Sequence, residues 1–170
     1  MALVSNTELK ALLDIENDNA ALTIIASYVQ SLFESFLCRY LEEDTYKETF
    51  FYAGYQLPLY GPVKKIKTVY VNGIETSGYQ LGPDCLFVYN AKNNDVVTVS
   101  YVGGYAEVPG VIKKAAIDQC IHEFKRRDNP DVVSVKTANT TMTYANEAGG
   151  LLESVKKMIQ PYRNYAVIGI

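Results

Sequence analysis

Val96-Val97-Thr98-Val99-Ser100-Tyr101-Val102-Gly103-Gly104-Tyr105, with Val108-Pro109 and Ile112-Lys113 behind it, is the stretch whose reading decides the fold. β-Branched and aromatic residues crowd its first half, which suits a strand. Gly103-Gly104-Tyr105 stops that strand. Pro109 then suits a helix start, because its missing N–H would be unpaired there anyway. Ile112, Ala115, Ala116, Cys120 and Phe124 recur on one helical face, and Lys125-Arg126-Arg127 puts positive charge on the final turn, where the helix dipole favours it. A strand running directly into a long helix marks a mixed α and β chain.

Upstream, Ser5-Asn6-Thr7-Glu8 supplies a capping box for a short helix carrying Leu9, Leu12 and Leu13. Beyond Asn17-Asp18-Asn19, the spacing of Leu22, Ile25, Ala26, Val29, Leu32, Phe33, Phe36 and Leu37 predicts about four turns of helix. From Thr45 the period changes to that of strands: Thr49-Phe50-Phe51-Tyr52, then Val63, Ile66, Val69 and Val71, closed by a tight turn at Asn72-Gly73. Cys85-Leu86-Phe87-Val88-Tyr89 and the strand from Val96 read as a hairpin joined by the polar loop 91–95. Downstream, Asp128-Asn129-Pro130 ends the second long helix, and residues 131–148 read as a long loop or exposed hairpin. Leu151, Leu152, Val155, Met158 and Ile159 form a short amphipathic helix stopped by Pro161, and residues 161–170 form an apolar interaction tail that either packs on its own fold or adds to a partner, as an extra strand. The expected fold class is therefore α+β, mainly α: a small helical bundle of two long helices plus short N- and C-terminal helices, with an inserted small antiparallel β-sheet, in one domain over 1–170.

The 170 residues suffice for one core at 48% hydrophobic content. No apolar run is expected to reach the roughly 18 residues of a membrane span, and the N-terminus lacks the basic start of a secretory signal, so a soluble protein with no membrane partner is expected. The net charge of −3 conceals a gradient: three basic and nine acidic groups in 1–60, nine and six in 61–127, four and four in 128–170. Without an overall basic excess, tight DNA binding is disfavoured, while an acidic front and basic middle let identical copies meet through unlike surfaces. Cys38, Cys85 and Cys120 are too widely spaced for a metal knuckle and odd in number for a disulfide framework. His122 is the lone histidine, and Cys120 lies two residues from it, on a different face of the same helix. Glu42-Glu43-Asp44 reads as a solvated connector rather than a cation site, and Gly103-Gly104-Tyr105 lacks the lysine and hydroxyl of a phosphate loop. No catalytic residue, metal site or cofactor is therefore expected. Fourteen tyrosines invite an alternative, a single-stranded nucleic-acid-binding module stacking bases on sheet tyrosines, with the 61–127 basic excess as its groove.

The order of elements resembles the head-tail connector proteins of tailed bacteriophages, also called head-completion or adaptor proteins, across nearly the whole chain. The piece from Val97 to Lys113 and the ending from Leu151-Leu152 to Pro161-Tyr162-Arg163 carry that resemblance. It implies a non-enzymatic virion protein, assembled in the host cytoplasm and located in the neck. Such a protein forms a cyclic homo-oligomer of about a dozen copies beneath the portal protein. It completes the DNA-filled head, offers a surface to the next neck or tail component, and lets double-stranded DNA pass without sequence specificity. On this reading Leu151, Leu152, Val155, Met158, Ile159, Tyr162 and Arg163 dock against the portal. Val133, Val135, Lys136 and Thr137 reach toward the channel or a neighbour.

Overall fold

The computed structural model describes residues 3–15, 20–54, 56–127, 134–137, 140–143 and 150–168, with backbone alone for 134–137, 140–143 and Ile168. The chain divides into two compact units, one comprising Met1–Phe33 and Pro109–Pro161, the other Glu34–Val108 and Tyr162–Ile170.

The first unit is helical. Helix α1 (Asn6–Leu13) begins as its sequence demands: the Glu8 amide donates to the Ser5 hydroxyl and the Ser5 amide to the Glu8 carboxylate, closing the capping box. Helix α2 (Ala20–Leu37) contributes its N-terminal part to this unit, burying Leu22, Val29 and Phe33. By length and composition alone it could cross a membrane, at mean hydropathy 1.3 over 18 residues, which corrects the expectation that no run reaches that length. The core helix of a soluble protein meets the same test, though only 22% of this window is buried; its exposed positions include Thr23, Ser27, Ser31 and Ser35 but also Ile24 and Tyr28. Helix α3 (Gly110–Arg126) starts after Pro109 and buries Ile112, Ala115, Ala116, Gln119 and Cys120. It packs on α4 (Glu153–Ile159), which buries Val155 and Ile159, and the Lys113–Glu8 ion pair at 2.6 Å ties it to α1. Strands β8 (Ser134–Thr137) and β9 (Thr140–Thr143) also fall here.

The second unit is built from strands. In chain order these are β1 (Asp44–Phe51), β2 (Leu57–Pro58), β3 (Val63–Val71), β4 (Ile74–Glu75), β5 (Tyr79–Gly82), β6 (Cys85–Val88) and β7 (Val96–Gly103). They form a four-stranded sheet in the order β1-β7-β3-β4 and a three-stranded sheet in the order β2-β6-β5, antiparallel throughout, while β8 and β9 pair with each other as a two-stranded sheet. One apolar cluster draws on both larger sheets: Leu57, Leu86 and Val88 from one, Ile66, Val69, Val97, Val99 and Tyr101 from the other. Period-two alternation explains it, since every second residue of β7 is buried. The tail joins this unit through a 3₁₀ turn (Gln160–Tyr162) and α5 (Tyr165–Ile168).

Two expectations are corrected here. The protein is not mainly α with a small inserted sheet: among the described residues seven strands make two antiparallel sheets with a core of their own, and three of the five α-helices have eight residues or fewer. Nor do the strands around Cys85 and Val96 form a hairpin together. β6 pairs with β5 across a turn at Asp84, and β7 belongs to the other sheet between β1 and β3. Local periodicity gives each strand its two faces but not its partner. The Asn72-Gly73 turn forms as read, with φ of 50° and 81° at its two residues, the positive values a tight hairpin turn needs.

Candidate functional site

The double glycine after β7 serves the backbone. Gly104 sits at φ +88°, and a Cβ there would lie 1.8 Å from the Glu42 carbonyl oxygen. Its N–H donates to the Pro62 carbonyl at 3.0 Å, and Tyr105 forms a parallel bridge with Glu42. The motif thus lets three chain segments meet closely, which only glycine permits at that φ.

The tail is held by hydrogen bonds within its own unit. Asn164 is buried; its backbone N–H donates to the Leu37 carbonyl at 2.7 Å and its side-chain Nδ2 to the Leu59 carbonyl at 2.9 Å, while its Oδ1 accepts from the Ala166 amide. Arg39 Nε donates to the Tyr162 carbonyl at 2.7 Å, and its guanidinium pairs with Asp84 at 2.7 Å. The Arg163 guanidinium lies over the Phe36 ring. The tail therefore docks on its own fold, in helical rather than strand form, through a polar residue that apolar patterning did not single out.

Inside the sheet unit, tyrosines gather around a carboxylate. Tyr40 and Tyr46 stack with ring centroids 3.6 Å apart, and Tyr60 and Tyr101 adjoin them. Burial pushes the Glu48 carboxyl above its ordinary range, opposed by the Tyr101 and Tyr40 hydroxyls and the Tyr60 amide, and its Oε2 is buried with no hydrogen-bond partner. The same burial raises Tyr46 to about 12 and shifts Tyr40 and Tyr101 upward too. Tyr101 is fully buried, so it presents no face to a nucleic-acid base. The outer side of the four-stranded sheet instead exposes Lys47, Lys65 and Lys67 with Thr45 and Thr49, Lys67 donating to Thr45 Oγ1 at 2.7 Å. At one end of β1 a groove of about 870 Å³ is lined by Phe50, Phe51, Tyr52, Phe87, Tyr89 and Tyr165 among others, with Phe51 81% exposed.

Reaction chemistry finds little material. Burial pushes the Cys120 thiol up to about 12, so it stays protonated and unreactive. Glu43 is engaged by Lys64 at 2.6 Å, and among the described residues no group of three or more histidine, cysteine or carboxylate side chains is placed to hold a metal ion.

Of the residues expected at a portal contact, Leu151, Val155 and Ile159 are buried within this chain, whereas Leu152, Met158, Tyr162 and Arg163 are half-buried at its surface. A buried polar residue missed by the sequence reading explains how their helix is set: Gln119 Nε2 donates to the Gly150 carbonyl at 3.2 Å, and its Oε1 accepts from the Leu152 amide at 3.0 Å, just before α4. Of the expected channel or neighbour residues, Val133 lies outside the described residues, and Val135, Lys136 and Thr137 lie in β8, opposite Met142, Thr141 and Thr140 of β9.

The arrangement defines an α+β protein with a helical unit and a two-sheet unit, rich in surfaces rather than reactive groups. No family model and no curated protein matches the sequence. Among solved structures, a chain in the neck of the empty GTA particle, computed with C6 symmetry, is similar at 16% identity and a TM-score of 0.63, over 95% of this chain and 90% of that one. A chain in the neck of the native GTA particle, computed with C12 symmetry, is similar at 15% identity and a TM-score of 0.62, over 93% and 87%. A chain of the virion of the native gene transfer agent (GTA) particle follows at 14% and 0.58, over 95% and 90%. At these identities the likeness is one of fold, and the resemblance read from the sequence agrees with it: this chain has the fold of neck chains of a virion-type particle.

Proposed function

We propose that this chain is a structural head-tail connector of the neck of a tailed-phage-like particle, and not an enzyme. About twelve copies form a ring beneath the portal protein, complete the DNA-filled head and offer the attachment surface for the next neck or tail component. Double-stranded DNA passes through the ring without sequence-specific contacts. The protein assembles in the host cytoplasm and resides in the virion. The observation that carries this reading is the fold shared with GTA neck chains along 95% of the sequence. The portal contact falls to the half-buried Leu152, Met158, Tyr162 and Arg163, because Leu151, Val155 and Ile159 are already enclosed. The charge gradient supports pairing of unlike flanks around a closed ring.

The mass of the particle formed by the purified protein, alone and with portal rings, tests this reading. A ring of about twelve copies, formed alone or on the portal, is expected. A chain that stays monomeric in both cases, or that binds single-stranded nucleic acid at nanomolar concentration with strong salt dependence, overturns it.

A further inference from the structure

Two apolar surfaces of this chain stay open to solvent, one convex and one concave. Helix α2 has a single charged residue, Glu34, in eighteen, yet it buries only Leu22, Val29, Phe33 and Leu37. A surface helix ordinarily sets charged residues opposite its buried stripe. α2 does not. Ile24, Ser27, Tyr28, Ser31 and Ser35 stand at i, i+3, i+4, i+7 and i+11, which is one helix face, and none of the exposed positions of α2 is charged. Ile24 stands out from that face at 70% exposure.

The concave surface is the groove of about 870 Å³ in the sheet unit. Phe51, Tyr89, Tyr165 and Phe87, which line it, are 81%, 64%, 56% and 40% exposed. The Tyr89 hydroxyl donates to Gln80 Oε1 at 2.6 Å and the Tyr52 hydroxyl to the Val88 carbonyl at 3.2 Å, so their polar ends are engaged and the groove offers ring surface. Its described lining holds no charged side chain. With each aromatic side chain able to bury about 150–250 Å², the four rings leave roughly 500 Å² open. That is more than half of the ~800 Å² that each partner gives to a standard interface. In a chain with 21% charged residues, two charge-free surfaces match each other, and no ion has to be desolvated when they meet.

From this match, and resting on the ring reading above, we infer that α2 of one copy seats its exposed face in the aromatic groove of the next copy, with Ile24 and Tyr28 against Phe51, Tyr89 and Tyr165. The occupant is a second copy because a ring closed by a heterologous contact needs two different, mutually fitting surfaces on every subunit. This chain carries one on its helical unit and the other on its sheet unit. Each copy gives a helix face and receives one.

Disulfide trapping in the full chain, with portal rings present, tests this. In a Cys38→Ser background, which leaves Cys85 and Cys120 buried, Ser27→Cys or Ser31→Cys marks the helix face and Ala53→Cys or Gln56→Cys marks the groove. Under mild oxidation a helix-face variant mixed with a groove variant is expected to give covalent dimers on a non-reducing gel, a double variant a ladder, and each single variant alone neither. Rings of normal mass without a cross-link in any combination overturn the contact and leave the ring reading standing. Dimers from a helix-face variant alone overturn it in favour of α2 packing on its own copy by two-fold symmetry. An internally cross-linked monomer overturns it by showing that the helix meets its own groove. Monomers throughout, with no ring on the portal, overturn this inference and the ring reading together. Ile24→Glu and Phe51→Glu, both at exposed positions, are expected to leave the circular dichroism spectrum unchanged and to abolish ring formation; normal rings from either overturn the contact. Co-sedimentation of the unaltered chain with phosphatidylethanolamine and phosphatidylglycerol vesicles also overturns it, since the α2 face then serves a membrane.

Discussion

Replacing Asn164 by alanine removes the two side-chain hydrogen bonds it contributes to holding the tail, and leaves its backbone bond to the Leu37 carbonyl. The bond from its Nδ2 to the Leu59 carbonyl, at 2.9 Å, is buried, and its Oδ1 accepts from the Ala166 amide at 3.0 Å. Each neutral bond is worth about 1 kcal/mol net, and the Leu59 carbonyl keeps the Gly61 amide as a donor at 2.8 Å, so no unsatisfied acceptor is added. A loss of about 2 kcal/mol follows from the two bonds, which for a chain of this size lowers the melting temperature by roughly 4–8 °C. Urea titration followed by near-ultraviolet circular dichroism reads it well, because the stacked Tyr40–Tyr46 pair lies in the same unit and the chain has no tryptophan. A loss below about 0.5 kcal/mol would refute the claim that Asn164 latches the tail. Deleting residues 161–170 disturbs the fold more widely, because truncation also strips the Tyr162 carbonyl from Arg39. Portal docking is therefore better probed by substitutions at Tyr162 and Arg163 than by deletion.

Two further outcomes follow from the sheet unit. Gly104→Ala meets both a positive φ and a carbonyl 1.8 Å from the new Cβ, so it costs more than about 2 kcal/mol. Gly73→Ala, with φ +81° and nothing within 4 Å, costs about 1 kcal/mol, and equal midpoints for the two in thermal melts would contradict this. The Glu48 carboxyl is raised above 4.5 by burial, so the folded state holds its proton more tightly than the unfolded chain. Its favourable contribution is complete below the unfolded value and fades as pH rises through the folded one. Glu48→Gln should flatten that decline in urea midpoints between pH 4 and pH 8; an unchanged slope would count against it.

Much of the local structure was legible because its causes are local. The Ser5-to-Glu8 capping box, the Pro109 start of α3 and the Asn72-Gly73 turn each depend on residues within a few positions of one another. The strand from Val96 was legible from its β-branched and aromatic content, and its alternation of buried residues is seen only in the structure. The error of weight, a helical bundle with a small sheet, came from short strands. β2, β4 and β5 have two to four residues and show too few alternations to register as a pattern. Asn164 and Gln119 escaped for a different reason: a buried polar residue is recognised by the distant groups it satisfies, Leu59 in one case and Gly150 with Leu152 in the other.

The sequence by itself determined where the longer helices and strands lie, which side of each long helix is apolar, and the scarcity of groups able to do chemistry. Tertiary structure alone decided that β6 and β7 lie in different sheets, that Tyr101 turns inward beside Glu48, and that the tail fastens to its own fold. Turn residues and hydrophobic period are fixed by neighbours a few bonds away. Strand partners and buried hydrogen bonds are chosen among segments tens of residues apart, by which pairing best covers apolar surface and leaves fewest polar groups unmet.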